Sequence, residues 1–102
     1  MRLTGYKPGP LIYSSVTTAW TTFSTGYDAV GFYLQAQTSS LLFRVDTATP
    51  PSATAEGAGI FLRGSVYDDV ELYGKDLFKN LKVACETSGS TVHCYLQLFY
   101  ES

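Results

Sequence analysis

Two stretches in the first half of the chain alternate between apolar and polar residues, with the period of two that indicates a half-buried β-strand. Residues 38–40, Thr-Ser-Ser, separate the two stretches and predict a turn, so the strands are expected to form a hairpin or to be sequential neighbours. The residues predicted to share one face are Val30, Phe32, Leu34 and Ala36 in the first stretch and Leu41, Phe43 and Val45 in the second.

The pattern elsewhere predicts more short strands. Residues 11–23 alternate weakly and predict one or two strands, and residues 60–62 and 67–73 predict two more. Residues 47–59 are rich in Pro, Gly and small residues, which indicates the longest loop of the chain, and loops of this length are often functional or mobile. Leu77 and Leu81 have the i, i+4 spacing of a helix, which predicts a single helical turn with Asp76 as its cap.

The C-terminal segment predicts a β-hairpin with a defined register. If Gly89-Ser90 is a two-residue type II′ turn, paired residue numbers sum to 179. Every pair on one face is then apolar, which predicts a continuous buried face. The predicted pairs on that face are Cys85 with Cys94, Val83 with Leu96, and Leu81 with Leu98.

About seven short strands at intervals of about ten residues predict an all-β fold. We expect a small antiparallel β-sandwich of jelly-roll or immunoglobulin-like type, or a barrel, with at most one helical turn. The 102 residues suffice for one domain. Pro8-Gly9-Pro10 cannot join the interior of a sheet, so residues 1–10 are predicted to be an extended N-terminal arm and residues 11–102 the β domain.

Charge and hydropathy exclude several classes of partner. The net charge is −2, and the seven Lys and Arg residues are scattered, whereas nucleic-acid binding needs clustered cations. No apolar run approaches the roughly 18 residues of a membrane-spanning helix. The N-terminus has no apolar segment typical of a secretion signal. We therefore expect neither a nucleic acid nor a membrane as partner.

The two cysteines and the single histidine are the first candidates for chemistry. In the predicted register Cys85 and Cys94 are close enough for a strained disulfide, or they are two small apolar residues of the core. His93 leaves the opposite face beside Glu86, either as an acid–base pair or as an ordinary exposed cross-strand pair. Because the histidine and the thiols point in opposite directions, neither a Cys–His dyad nor a zinc site is expected.

An acidic cluster precedes the predicted helical turn. Asp68, Asp69 and Glu71 suggest a cation site, a glycosidase-type carboxylate pair or a solvated strand edge that discourages pairing. Only Asp69 and Glu71 share a face, which favours the edge interpretation. The sequence thus predicts no catalytic residue, no metal site, no cofactor and no enzymatic activity.

The aromatic residues exceed what one small core needs. Aromatic side chains on outward positions act as interface anchors or as platforms for sugar rings. An extended arm is also a candidate for contacting a neighbour. The candidate interface residues are therefore Tyr6, Pro8 and Pro10 of the arm, together with Trp20, Tyr33, Tyr67, Tyr73 and Tyr95.

About two thirds of the chain, from residue 30 to residue 100, carries a family resemblance. It is carried by Leu42-Phe43-Arg44-Val45-Asp46, the following Thr-Pro-Pro-Ser-Ala-Thr loop, Gly59-Ile60-Phe61-Leu62, the run from Val70 to Lys82, and the segment from Ser88 to Tyr100. These segments resemble small β-sandwich virion proteins of tailed bacteriophages, which attach to a head, neck or tail.

The resemblance implies a non-enzymatic structural component of a bacteriophage virion, either a capsid decoration protein or a head or tail accessory protein. Such a protein self-associates into a homo-oligomer and docks on capsid or tail proteins, after assembly in the host cytoplasm. The alternative is a carbohydrate-binding β-sandwich in which Trp20 and several tyrosines stack on sugar rings.

Overall fold

The computed structural model describes residues 5–37, 39–86 and 92–102. It contains eight strands, a 3-10 turn at Gly64–Val66 and one short helix, α1 (Lys75–Lys79). The strands are β1 (Tyr6–Val16), β2 (Thr21–Thr22), β3 (Gly31–Gln37), β4 (Leu41–Arg44), β5 (Ile60–Leu62), β6 (Asp69–Tyr73), β7 (Lys82–Ala84) and β8 (Val92–Glu101). The predicted all-β class and the single helical turn are confirmed.

The strands form two antiparallel sheets of four. The front sheet has the order β1-β8-β3-β6, and the back sheet has the order β2-β7-β4-β5. Every connection along the chain crosses from one sheet to the other, except the connection from β4 to β5. This is the strand order of a jelly roll, one of the sandwich types that the strand spacing predicts.

The core lies between the two sheets and is built from the alternating positions seen in the sequence. Phe32, Leu34 and Ala36 of β3 are fully buried, and they face buried residues of the back sheet such as Phe43 and Val83. Phe78 of α1 is 2% exposed and packs 6.2 Å from the ring of Phe32. The helix therefore contributes a ring to the core.

The predicted C-terminal hairpin is wrong, because β7 and β8 belong to different sheets. Cys94 of β8 lies opposite Ser14 of β1 on one side and Ala36 of β3 on the other. Val83 of β7 lies opposite Phe43 and Thr21. The predicted turn at residues 89–90 lies outside the described residues.

The pairing of β3 with β4 is wrong for the same reason, since these strands also lie in opposite sheets. Two strands that face each other across a core bury alternate residues in the same way as two strands side by side. The alternation thus predicts which residues point inward, and these predictions hold for β3, β4, β7 and β8. It does not predict the hydrogen-bonded neighbour.

The predicted N-terminal arm is part of the domain from its sixth residue onward. Tyr6, Lys7 and Pro8 pair with the end of β8, and the register shifts between Pro8 and Leu11. Pro8 and Pro10 are tolerated because β1 is an edge strand with one side unpaired. Residues 6–10 are therefore not a detached arm, and residues 1–4 lie outside the described part of the chain.

The long loop, residues 47–59, covers the outer face of the back sheet. Its Ala53 and Ala58 are buried and cluster with Leu42 of β4, Ala84 of β7 and the half-buried Trp20. The loop is held by hydrogen bonds from the Trp20 indole to the Pro51 carbonyl (2.8 Å) and from Arg44 to the Ala58 carbonyl (3.1 Å). The loop thus covers the outer face of the back sheet at β4 and β7.

The segment before α1 also differs from its prediction. The N-cap of α1 is Gly74, with φ of 146°, and no side chain caps the helix. Asp76 lies within the first turn instead of at the cap, so the predicted capping role of Asp76 is wrong. Phe78 and the partly buried Leu77 tie α1 to the core instead of a cap.

Candidate binding face

The outer face of the front sheet, called the front face below, is built from every second residue of its four strands. The strand registers align these residues in rows that cross the sheet, so neighbours in a row lie side by side. One row contains Tyr13, Tyr95, Gln35 and Asp69, and the next contains Leu11, Gln97, Tyr33 and Glu71. The rows run from apolar side chains on β1 to carboxylates on β6.

Tyr13 is the centre of an aromatic group at the β1 side of the front face. Its ring stacks on His93 at 4.9 Å, with an interplanar angle of 3°, and lies 4.6 Å from the ring of Tyr95. Tyr13 is 53% exposed, and neighbouring Leu11 is 59% exposed. Exposed apolar side chains on paired strands, such as β1 and β8 here, are typical of a preformed contact surface.

A second aromatic group lies around Tyr73, whose ring is 5.0 Å from Tyr6 and 5.7 Å from Phe99. Gly31 makes this arrangement possible. A Cβ at Gly31 would lie 2.6 Å from Cδ1 of Tyr73, so only a glycine in β3 lets the ring lie across the strand. The glycine is required here for close approach and not for turning the chain.

The polar side chains of the front face bind one another in a chain. Gln37 donates to Gln35, Gln35 donates to the Tyr33 hydroxyl (3.0 Å), and that hydroxyl donates to Asp69 (2.9 Å). The Tyr73 hydroxyl likewise donates to Glu71 at 2.7 Å. The chain fixes the orientation of these amides and carboxylates before any partner binds, which lowers the entropic cost of binding.

The hydroxyl groups of Tyr33 and Tyr73 in this hydrogen-bond network are protonated at neutral pH and act as donors. Burial and the hydrogen bond to Asp69 raise the pKa of Tyr33. Burial, together with the hydrogen bond to Glu71, raises the pKa of Tyr73 to about 12. Neither side chain can act as a base near neutral pH, so this network offers recognition and not proton abstraction.

The structure places four of the predicted interface residues together on the front face: Tyr6, Tyr33, Tyr73 and Tyr95. Pro8 and Pro10 lie in β1, the strand that borders the face. Trp20 does not belong to this group, because its ring lies under the long loop. Tyr67 is 56% exposed but lies apart, after the 3-10 turn, with φ of 54°.

Five residues of the front face were not predicted as site residues: Tyr13, Leu11, Gln35, Gln37 and Gln97. The weak alternation around residues 11–13 was the available signal for the first two, since it places Leu11 and Tyr13 on the same face. It does not reveal that this face is the outer one. That follows only from the pairing of β1 with β8, which puts Ile12 and Val16 toward the core.

Cys85 and Cys94 are both buried thiols in the core. Burial raises the pKa of the Cys94 thiol to about 11. A thiol of this pKa is protonated at neutral pH and is a poor nucleophile. The cross-strand geometry that suggested a disulfide is absent, because Cys94 lies in β8 of the front sheet while Cys85 directly follows β7 of the back sheet.

His93 is not opposite Glu86, so the predicted cross-strand pair is wrong. His93 lies between Ser15 of β1 and Gln37 of β3, whereas Glu86 follows β7 and is exposed. No described residue supplies a hydrogen-bond partner for the buried Nδ1 of His93. The imidazole is held instead by its stacking on Tyr13.

The acidic residues near β6 have separate partners. Asp68 binds Arg63 at 2.8 Å, while Asp69 and Glu71 accept hydrogen bonds from tyrosines of the front face. β6 is an edge strand, as the preferred interpretation of the acidic cluster predicted. Within residues 5–37, 39–86 and 92–102, no three His, Cys, Asp or Glu side chains are grouped so that they could hold a metal ion.

Two clefts elsewhere on the surface are less suited to a site. One, of about 370 Å³, lies between β4 and the end of the long loop, and the other, of about 430 Å³, lies beside α1 and residues 24–29. Neither cleft is lined by a histidine or a cysteine. In the described part of the chain, no helix is long and apolar enough to cross a bilayer.

The front face is therefore the best candidate for a functional surface. It combines exposed aromatic rings, oriented amides and carboxylates, and it lacks the loop that covers the back sheet. No family model, curated protein or solved structure matches the chain.

Proposed function

We propose that this chain is a non-enzymatic structural component of a bacteriophage virion, which docks on capsid or tail proteins through its front face. The observation that carries the proposal is the asymmetry between the two sheets. The long loop buries the outer face of the back sheet at β4 and β7, while the front face keeps Leu11 and Tyr13 more than half exposed.

Two further points support the proposal. The strand order is that of a jelly roll, an architecture that occurs in viral capsid domains and also in lectins. A fold alone does not assign a function. The segments that resemble phage virion proteins include β4, β5 and the run from β6 to α1, which form much of the sandwich. The resemblance thus concerns the scaffold, and the front face is the surface that the scaffold presents.

The proposed docking is physically favoured by the composition of the front face. Tyrosines are enriched in protein interfaces because they bury large rigid rings and keep a polar group for hydrogen bonding. The orientation of Tyr33 and Tyr73 by Asp69 and Glu71 leaves few rotamers to be lost on binding. The buried thiols and protonated phenols described above supply no nucleophile or base at neutral pH.

The direct test is to purify particles of the phage that encodes the chain and to search for the chain by mass spectrometry and cryo-electron microscopy. We expect it in the particle at a defined copy number, with the front face against another virion protein. Absence of the chain from particles that are otherwise complete contradicts the proposal.

A matched pair of variants tests the surface. Replacing Tyr13 by Asp places a charge in the centre of the aromatic group at the β1 side of the front face and is expected to abolish incorporation into particles. Replacing Tyr27 by Asp makes the same change at a tyrosine that is 39% exposed in a loop outside the front face. Tyr27→Asp is expected to leave incorporation intact, and equal behaviour of the two variants contradicts docking through the front face.

The second candidate function is carbohydrate binding at the same face. The observation that favours it is the row in which Tyr13 and Tyr95 adjoin Gln35 and Asp69, since aromatic rings stack on sugars while amides and carboxylates bind hydroxyl groups. Binding of the purified chain to a glycan array, lost in Tyr13→Ala, supports this candidate. Incorporation into particles without glycan binding supports the virion role.

A further inference from the structure

The four edge strands of the sandwich differ in how they are protected from pairing with another chain. β1 contains two prolines and a register shift, β6 presents Asp69 and Glu71, and β2 has only two residues. Prolines, irregular registers, charged side chains and short length are the usual protections of an edge. β5 is also short, with three residues, but its sequence Ile-Phe-Leu has neither a proline nor a charge.

The β5 edge instead exposes large apolar side chains. Ile60 is 58% exposed and Phe61 is 46% exposed, and Val66 and Tyr67, a few residues further on, are 55% and 56% exposed. We use the name β5 edge for β5 with its exposed residues Ile60 and Phe61. Two large exposed apolar side chains on this strand offer a partner apolar area that a charged or proline-containing edge does not.

The exposed side chains lie on both faces of the back sheet. Ile60 is opposite Phe43, which points into the core, while Phe61 is opposite Leu42, which points to the outer face. A ligand that lies flat on one face covers only one of them. A β-strand added alongside β5 covers both, and it also pairs with the backbone groups of the open edge.

We propose that the β5 edge pairs with the β5 edge of a second copy of this chain, in antiparallel orientation about a two-fold axis. The inference rests on the proposed function, because it names the partner in the self-association of the virion protein. Each copy supplies the same apolar strand, so the contact is self-complementary. The dimer joins two back sheets into one continuous sheet.

Charge complementarity favours a second copy and the antiparallel orientation. Glu56 precedes β5, and Arg63 follows it directly, with its side chain 61% exposed although it binds Asp68. Antiparallel pairing centred on residue 61 places Arg63 of one copy opposite residue 59 of the other, at the end of the acidic loop segment that contains Glu56. A parallel pairing would bring like charges together, which is unfavourable.

The contact is small. Each copy contributes a three-residue strand with two large exposed apolar side chains, which implies a total buried area below about 1,200 Å², typical of weak interfaces, so we expect a dissociation constant of order micromolar. The front face belongs to the other sheet and stays accessible in the dimer. A dimer thus presents two front faces, and simultaneous docking of both strengthens attachment to a larger assembly.

Analytical ultracentrifugation over a concentration series tests the proposal with charge-swap variants. We expect the wild-type chain to show a monomer–dimer equilibrium, and F61K and F61E each to be monomeric with an unchanged circular dichroism spectrum. Mixing F61K with F61E is expected to restore a dimer, because the two-fold axis places residue 61 of each copy beside the other strand. The control L11K places the same charge on the front face, at a residue that is 59% exposed compared with 46% for Phe61, and is expected to dimerise as wild type.

A wild-type chain that stays monomeric at every concentration overturns the proposal, as does undiminished dimerisation of F61K. If a charge at residue 61 prevents folding, F61C and L11C are compared by cross-linking with a short bis-maleimide. A covalent dimer of F61C and not of L11C supports the β5 edge, and the reverse result overturns it. Two results separate this contact from docking through the front face. L11K would lose particle incorporation and still dimerise, whereas F61K would lose dimerisation and still be incorporated.

Discussion

The indole Nε1 of Trp20 donates a hydrogen bond to the carbonyl oxygen of Pro51 over 2.8 Å, which ties the segment before β2 to the long loop across 31 positions of the chain. Trp20 also packs against Leu42, Ala53, Ala58 and Ala84. The only tryptophan of the protein is thus a structural residue of the back sheet, and its presence explains why the loop covers that sheet.

Replacing Trp20 by Phe tests this role. The variant keeps an aromatic ring but loses the hydrogen bond, so we expect the free energy of unfolding to fall by about 1 kcal/mol. Residues 47–59 should also become more sensitive to proteolysis. Urea unfolding and limited proteolysis measure the two effects, with Tyr27→Phe as the control, because Tyr27 lies outside the cluster. Unchanged stability and protection in Trp20→Phe would contradict the role of the hydrogen bond.

The raised pKa of Tyr73 predicts a specific loss of stability at alkaline pH. The pKa is about 12 in the folded protein and near 10 in an unstructured chain, so the folded state holds the phenol proton more tightly. The stability that this provides is fully present below pH 10 and is lost as the pH rises toward 12. We expect Tyr73→Phe to lose less stability than wild type over this interval.

Thermal melts between pH 9 and pH 12 provide the measurement of the Tyr73 effect, in the range set by the two pKa values. The control is Tyr67→Phe, which removes the hydroxyl of an exposed tyrosine and is expected to follow the wild-type profile. A profile of Tyr73→Phe that is parallel to wild type would show that this phenol is not the group that titrates.

The carboxylate of Asp46 stabilises the folded state at neutral pH, and this stability is expected to be lost in acid. Its carboxylate binds Nη2 of Arg44 at 2.6 Å and Nε at 3.1 Å, and these bonds lower the pKa of Asp46 below the ordinary 3.8. The stability from this pair is therefore present above pH 3.8 and is lost as the pH falls through the depressed pKa. Asp46→Asn should be less stable than wild type at neutral pH, with the difference disappearing in acid.

Thermal unfolding at a series of pH values checks the Asp46 prediction. Asp28→Asn is the matched control, because the Asp28 side chain is 90% exposed and lies 3.6 Å from Lys75. Exposed pairs of this kind contribute little, so the control should have the stability of wild type at every pH. A difference between Asp46→Asn and wild type that persists at the lowest pH would point to a cause other than the carboxylate charge.

The buried thiols predict slow reaction with a thiol reagent. With a pKa of about 11, only about one molecule in a thousand carries the Cys94 thiolate at pH 8, and burial also blocks access. We expect a disulfide-exchange dye to react at least about 100-fold more slowly with the folded chain than with the chain in guanidinium. Two thiols should react after unfolding, and none would react if a disulfide joined Cys85 and Cys94.

The alternation of apolar and polar residues was sufficient to predict the class of fold and much of the core. Phe32, Leu34 and Ala36 share a buried face in the structure, as their spacing predicts, and so do Leu41 and Phe43. The same pattern could not predict the sheet to which each strand belongs. A strand buries one face whether the next strand of the chain pairs with it in the same sheet or lies across the core in the other sheet. The same apolar pattern therefore fits both arrangements.

The candidate site was predicted only in part for the same reason. Tyr33, Tyr73 and Tyr95 of the front face were selected because they alternate with core residues, and Tyr6 because it lies in the predicted N-terminal arm. Trp20 was selected as well, although the long loop covers it, and Tyr13 was omitted, although it is the centre of the exposed aromatic group. Whether an outward residue meets solvent depends on loops and on the neighbouring strand, which are far away along the chain.

The sequence by itself therefore determined that the chain forms β-strands and which side chains of β3, β4, β7 and β8 point inward, because these properties depend on residues that are close together in the chain. Tertiary structure alone decided that β7 and β8 lie in opposite sheets, that residues 6–10 complete an edge strand, and that Trp20 is covered while Tyr13 is exposed. These features are contacts between distant segments, and they are chosen by the packing of the whole sandwich rather than by any local pattern.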